Sequence, residues 1–135
     1  MADLRVEICG IEFKNPVLPA AGPPTWNGEA MLACAEGGAG GIVAKTISTT
    51  AAVVPEPCMA QVGRNSMLNT ELWSELPPER FFDTEYARAR ESGLPLIISM
   101  GYTAEQIAEL APKAKPFADA LELSTHYIGE DPAPM

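Results

Sequence analysis

The chain has 135 residues, 47% of them hydrophobic, with 9 Lys and Arg against 18 Asp and Glu and a formal net charge of −9. That length suits one domain on the usual scale of ~100–200 residues. The acidity excludes nucleic acid and anionic membrane surfaces as partners, because both require a basic patch, and no apolar run approaches the ~20 residues of a membrane span. The opening MADLRVEICG lacks the basic start and apolar centre of a signal peptide. Cys9, Cys34 and Cys58 are far apart and form no CxxC, which argues against a disulfide scaffold, a zinc ribbon or an iron–sulfur cluster. The expected compartment is a reducing cytoplasm.

Leu4, Val6 and Ile8 alternate with Arg5 and Glu7, and Gly10 permits a turn before Ile11 to Phe13. This predicts an N-terminal β-hairpin. Val17-Leu18-Pro19-Ala20-Ala21 reads as a short apolar strand stopped by Gly22-Pro23-Pro24. A helix is expected from about Gly28, with Asn27 as N-cap, Met31, Leu32 and Ala35 on its apolar face, and Gly37 at C′. Residues 40–46, Gly-Gly-Ile-Val-Ala-Lys-Thr, read as a second, buried strand.

A helix over 78–91 follows, with Pro78 at N1, Phe82, Tyr86 and Ala89 on one face and Gly93 at its end. The third strand spans 94–100. A last helix begins at a capping box of Thr103 and Gln106 and carries the stripe Ile107, Leu110, Ala111 and Ala114. The fourth strand spans 120–125. Apolar strands alternating with amphipathic helices predict βαβ units and a parallel sheet. The expected architecture is a hairpin followed by four β/α units, half of an eight-stranded barrel.

One interval is out of proportion. Residues 46–77 show little periodicity, and loops beyond ~12–15 residues are usually functional or disordered. This one leaves the C-terminal end of a parallel strand, where α/β enzymes place their sites.

The chemistry-bearing residues resemble a known family. Gly10-Ile11-Glu12-Phe13-Lys14-Asn15-Pro16-Val17-Leu18-Pro19-Ala20-Ala21-Gly22 resembles the opening of the dihydroorotate dehydrogenase family, in its soluble branch. The dehydrogenase domain of dihydropyrimidine dehydrogenase is related. Glu36-Gly37-Gly38-Ala39-Gly40-Gly41-Ile42-Val43-Ala44-Lys45-Thr46, Ser66-Met67-Leu68-Asn69, Leu94-Pro95-Leu96-Ile97-Ile98-Ser99 and Ala120-Leu121-Glu122-Leu123 match further motifs in the family order. The resemblance implies an α/β fold, the N-terminal half of a TIM (β/α)8 barrel. Residues 1–135 would form a partial domain that binds flavin mononucleotide (FMN). It also implies a pyrimidine-metabolism oxidoreductase acting on a CH–CH bond of a small molecule, pyrimidine-like or another cyclic carbonyl compound. A homo-oligomer or an electron-transfer subunit is the expected partner.

By the same resemblance, Ala20, Ala21 and Gly22 would lie against the flavin, where small residues admit close approach. Lys45 stands in an apolar run and needs an anionic or polar partner. It reads either as a strand-end lysine reaching solvent or, in the family, as a contact to flavin and substrate. Thr46 and Ser99 would bond the cofactor. Asn69 suits an imide edge or an ordinary turn, and Ser124 would meet substrate.

Several positions depart from the family. Ala21 replaces a frequent Ser, Ser99 a frequent Asn, and Thr70-Glu71-Leu72-Trp73-Ser74 replaces Gly-Leu and a second Asn. Where the family reads Asn-x-Ser-Cys-Pro with a cysteine base, this chain has Ser124-Thr125-His126-Tyr127. His126 has the better-placed pKa for proton transfer, and Tyr127 has the aligned position; either is the candidate catalytic base, or both are loop residues. The rival reading is a non-catalytic half-barrel that binds a partner chain.

Overall fold

The computed structural model describes residues 2–125. Strands β1 (Val6–Ile8) and β2 (Ile11–Phe13) form the expected antiparallel hairpin, pairing Val6 with Phe13 and Ile8 with Ile11. Its two turn residues, Cys9 and Gly10, both have positive φ (52° and 77°), the backbone that a tight two-residue hairpin turn demands.

Residues 17–21 are not a regular strand, contrary to expectation. Pro19 has no N–H to give, and the Val17 N–H is turned to Asn15 Oδ1 at 3.0 Å. Gly40 donates its N–H to the Val17 carbonyl at 2.8 Å and Val43 to that of Pro19 at 3.3 Å. Partner numbers rise together, so the segment runs beside the next strand in the parallel sense without a full ladder.

Helix α1 (Gly28–Glu36) starts at Asn27, whose side chain accepts the Ala30 N–H at 2.8 Å. It ends one residue later than expected. Gly37 is right-handed at φ −68°, and Gly38 at φ 102° takes the left-handed position. Strand β3 (Ile42–Ile47) follows.

The long interval that lacked periodicity contains a second hairpin, β4 (Met59–Val62) and β5 (Ser66–Asn69), which the sequence reading missed. All eight of its residues are exposed, so no buried face imprinted an apolar alternation. Its turn residues are Gly63, at φ 69°, and Asn65.

The helix expected over 78–91 is three pieces: α2 (Pro78–Arg80), a π turn (Phe81–Glu85) and α3 (Tyr86–Arg90). Pro78 occupies the first turn as expected. In the π turn the Tyr86 N–H bonds the Phe81 carbonyl, five residues back. Phe81, rather than Phe82, thereby becomes fully buried with Tyr86. Strand β6 (Leu96–Gly101), helix α4 (Ala104–Ala114) and strand β7 (Ala120–Ser124) complete the described chain. The capping box holds: Thr103 Oγ1 accepts the Gln106 N–H, and Gln106 Oε1 accepts the Thr103 N–H at 3.0 Å.

The parallel sheet therefore has three regular strands, in the order β3-β6-β7. Alternate residues Ile42 and Ala44 of β3 and Leu96, Ile98 and Met100 of β6 join Met31, Phe81, Tyr86, Ala89, Leu110 and Ala114 of the helical layer in one core. A bulge interrupts β3. Ala44 pairs with Ile98 and Ile47 with Met100, so β3 spends three steps where β6 spends two. The extra residue returns Ile47 to the core face and leaves Lys45 and Thr46 to the other, the use of bulges beside functional sites.

Candidate functional site

The bulge decides what the C-terminal ends of the strands present. Thr46 Oγ1 and Ser99 Oγ lie 2.9 Å apart, on neighbouring strands and on the sheet face opposite the helical core. Ser99 is fully buried and Thr46 half-buried. One of the hydroxyls donates to the other, which leaves the second proton of the pair for a further acceptor.

Lys45 is buried, at 3% exposure. Its ammonium does not reach solvent. Nζ donates to the Leu72 carbonyl at 2.8 Å and pairs with the Glu71 carboxylate. Both partners lie in the excursion after β3, in the pentapeptide that departs from the family pattern. The sequence required an anionic or polar partner for Lys45 but could not select one, because residues 47–77 offer Glu56, Glu71 and Glu75.

Asn69 ends β5 and is exposed. Its Oδ1 accepts the Glu71 N–H at 2.8 Å, so it shapes the turn that carries the Lys45 partner. Further bonds fasten the excursion to the strand ends. Ser74 donates its N–H to the Thr46 carbonyl at 2.8 Å, Ala52 donates to the Ser74 carbonyl at 2.8 Å, and Trp73 Nε1 donates to the Thr50 carbonyl at 2.7 Å. The Trp73 ring meets that of Tyr102, just past β6, at 5.3 Å between centroids. Burial pushes the Tyr102 phenol above its ordinary pKa, and a hydrogen bond with the Ser124 side chain opposes that shift.

Ala20 is exposed, Ala21 half-buried and Gly22 buried. Thr25 ties this segment: its hydroxyl lies 3.3 Å from both the Ala20 and Gly22 carbonyls. Ser124 ends β7 opposite Gly101, where an added Cβ would come within 2.8 Å of the Ser124 carbonyl. The structure thus brings Lys45, Thr46 and Ser99 together, links Asn69 to them through Glu71, and places Ser124 one strand further along. His126 and Tyr127, the candidate bases, lie outside the described residues. The sequence reading did not single out Glu71, Trp73, Tyr102 or Glu122. Glu122 pairs in register with Ser99, and strand alternation from Ser124 was the signal for it.

Among the described residues, no helix is long and apolar enough to cross a membrane, and no group of three or more His, Cys, Asp or Glu residues could hold a metal ion.

No family model matches the chain. It is similar to three curated relatives, each described as dihydroorotate dehydrogenase B (NAD(+)), catalytic subunit. The relative from Thermoplasma volcanium is 32% identical over 127 residues, covering 92% of this chain and 42% of that protein. That from Pyrococcus horikoshii is 30% identical over 148 residues, covering 96% and 45%. That from Methanocaldococcus jannaschii is 30% identical over 125 residues, covering 90% and 41%. The chain thus spans less than half the length of the relatives it matches. Over nearly all of its residues, the chain is similar to part of these dihydroorotate dehydrogenase B catalytic subunits.

Proposed function

We propose that residues 1–135 form the first four β/α units of an FMN-binding (β/α)8 barrel, an oxidoreductase that acts on a CH–CH bond in pyrimidine metabolism in the cytoplasm. The observation that carries the reading is the Thr46–Ser99 hydroxyl pair at the ends of two adjacent parallel strands. Family likeness supports it over nearly the whole chain. The residues fit a flavin in two respects: the hydroxyl pair retains a proton to donate, and the segment Ala20-Ala21-Gly22 beside β3 carries no bulky side chain. FMN, when bound, would supply the hydride-accepting chemistry. Thr46 and Ser99 orient it by hydrogen bonds, and His126 or Tyr127 takes the substrate proton. The substrate is a pyrimidine-like or other cyclic carbonyl compound. The partner is a second copy or an electron-transfer subunit.

Titration of the intact protein carrying this chain with FMN, read by fluorescence quenching, tests the reading. Saturable binding followed by substrate-dependent bleaching of the flavin is the expected result. Absence of FMN binding overturns it. Continuation of the reading frame through four more β/α units is the expected context for the domain.

One observation favours a second reading, a non-catalytic half-barrel that binds a partner chain. Strand β7 is paired on one side only among the described residues, and Leu121 and Leu123 are 40% and 51% exposed. The same titration separates the two, since a binding module requires no flavin.

A further inference from the structure

We propose that residues 58–70, the β4–β5 hairpin with its closing residues, form a hinged lid that stands open in this structure and closes over the strand ends when FMN occupies them. The inference rests on the catalytic reading above and adds a conformational step to it.

The hairpin is a closed unit of its own. Next to the Met59–Asn69 pair that ends its ladder, Thr70 donates its N–H at 2.8 Å and its hydroxyl at 3.1 Å to the Cys58 carbonyl. Its joints to the rest of the chain are slight. On the entry side, residues 53–57 make no hydrogen bond among the described residues, and Val53 is 91% exposed. On the exit side, the one hydrogen bond that crosses among the described residues runs from the Glu71 N–H to Asn69 Oδ1. Beyond that joint the chain is fixed to the end of β3: the Leu72 carbonyl accepts from Lys45, and Ser74 is bonded to Thr46 and Ala52. A closed unit joined to a fixed root through a few unbonded residues has the geometry of a hinge.

The hairpin also has a reason to close. Two strands solvated on both faces are marginally stable in water. Both faces here carry apolar side chains. Met59 and Met67 share one and Val62 and Leu68 the other, with Met67 66% and Leu68 62% exposed. Covering either face takes that surface out of water. The strand-end site lies at the root of the hairpin and within its reach. Four residues per strand give the arm about 14 Å, whereas three neighbouring parallel strands span about 10 Å.

Hydrogen exchange of the intact protein that carries this chain, read by mass spectrometry on peptides covering 58–70, tests the lid. Freed of flavin, the protein is expected to exchange the hairpin amides fast, and saturating FMN to slow them at least about tenfold. The double variant Met67→Ser, Leu68→Ser removes apolar surface from both faces. Both side chains are solvated in the open state, so the variant is expected to fold and, at a concentration of FMN that saturates it, to lose the slowing. Hairpin amides already protected without flavin overturn the inference alone. So does bound FMN that leaves their exchange unchanged, or a double variant slowed as much as the parent. Absence of FMN binding by the parent overturns the catalytic reading and the inference with it.

Discussion

The Glu85 carboxylate accepts the Gly28 N–H at 2.7 Å, joining positions 57 apart in sequence. Gly28 opens α1, where unpaired N–H groups and the helix dipole favour an anion. The other Glu85 oxygen accepts from Arg80 Nε at 2.7 Å. A Cβ at Gly28 would stand 2.9 Å from the Glu85 carbonyl and 2.6 Å from Arg88 Cβ, so this close approach of the π turn to α1 requires a glycine. One buried carboxylate thereby locks two helical segments that the sequence separates widely.

Glu85→Ala should destabilise the protein by about 1–3 kcal/mol, the cost of leaving a buried donor unpaired, read from urea unfolding at neutral pH. Burial pushes the Glu85 carboxyl up, but the Gly28 N–H, the Arg80 guanidinium and the Thr84 hydroxyl outweigh it and hold the pKa below the ordinary 4.5. Between the two values the unfolded state binds more protons than the folded one. The contribution is therefore full above pH 4.5 and is lost as pH falls through the folded value. The gap in stability between parent and variant should narrow on acidification through that window; a gap that widens there contradicts the assignment.

Tyr86 Oη is buried with no hydrogen-bond partner among the described residues. Its ring packs against Phe81, Phe82 and Phe117 with centroids 5.3, 5.7 and 5.8 Å away, and burial pushes the phenol well above its ordinary pKa. Tyr86→Phe should leave stability unchanged or raise it by up to about 1 kcal/mol, since an unpaired buried hydroxyl costs more than it contributes. Tyr86→Ala should cost about 3–5 kcal/mol. Thermal and urea unfolding of the two variants should therefore move in different directions or by very different amounts.

Two glycines nearly adjacent in sequence should respond oppositely. A Cβ on Gly40 would fall 1.9 Å from the Asn15 carbonyl oxygen, so Gly40→Ala must push residues 15–17 away from the start of β3. A loss of about 1–3 kcal/mol is expected. Gly37 is right-handed and its nearest neighbours to a Cβ are 3.4 Å away. Gly37→Ala should be tolerated, with a gain of up to about 1 kcal/mol from the stiffer unfolded chain. Equal losses at both positions would contradict the packing described.

Ser99→Ala removes one hydroxyl of the strand-end pair and leaves Thr46 Oγ1 without its partner. On the proposed function, FMN affinity should fall about two- to tenfold, one hydrogen bond's worth. Met100→Leu, one residue on but facing the helical core, should leave it unchanged. Fluorescence quenching titrations of the parent and both variants check this. An unaltered FMN affinity in Ser99→Ala removes the hydroxyl pair from the cofactor assignment.

Local signals in the sequence were enough for the elements whose energetics are local. The Asn27 cap, Pro78 in a first turn and the Thr103–Gln106 box depend on residues within one helical turn of each other. The apolar runs of β3 and β6 depend on burial of both strand faces. The same signals misread residues 17–21, where Pro19 lacks the N–H that a ladder needs and the Val17 N–H turns to Asn15. They also missed the β4–β5 hairpin, which has no buried face to pattern.

The sequence by itself determined an α/β chain with parallel strands, an N-terminal hairpin, a Lys45 set in an apolar run and in need of an anionic or polar partner, and polar residues at strand ends. Tertiary structure decided which partner Lys45 takes, that a bulge turns Thr46 towards Ser99, that a π turn delivers Phe81 to the core, and that Glu85 reaches Gly28. The reason is physical. Strand and helix periodicity follow from neighbours a few residues apart. A bulge, a π turn or a buried ion pair is selected by packing between segments tens of residues apart, and several carboxylates in the chain were equally eligible until the fold brought Glu71 over the end of β3.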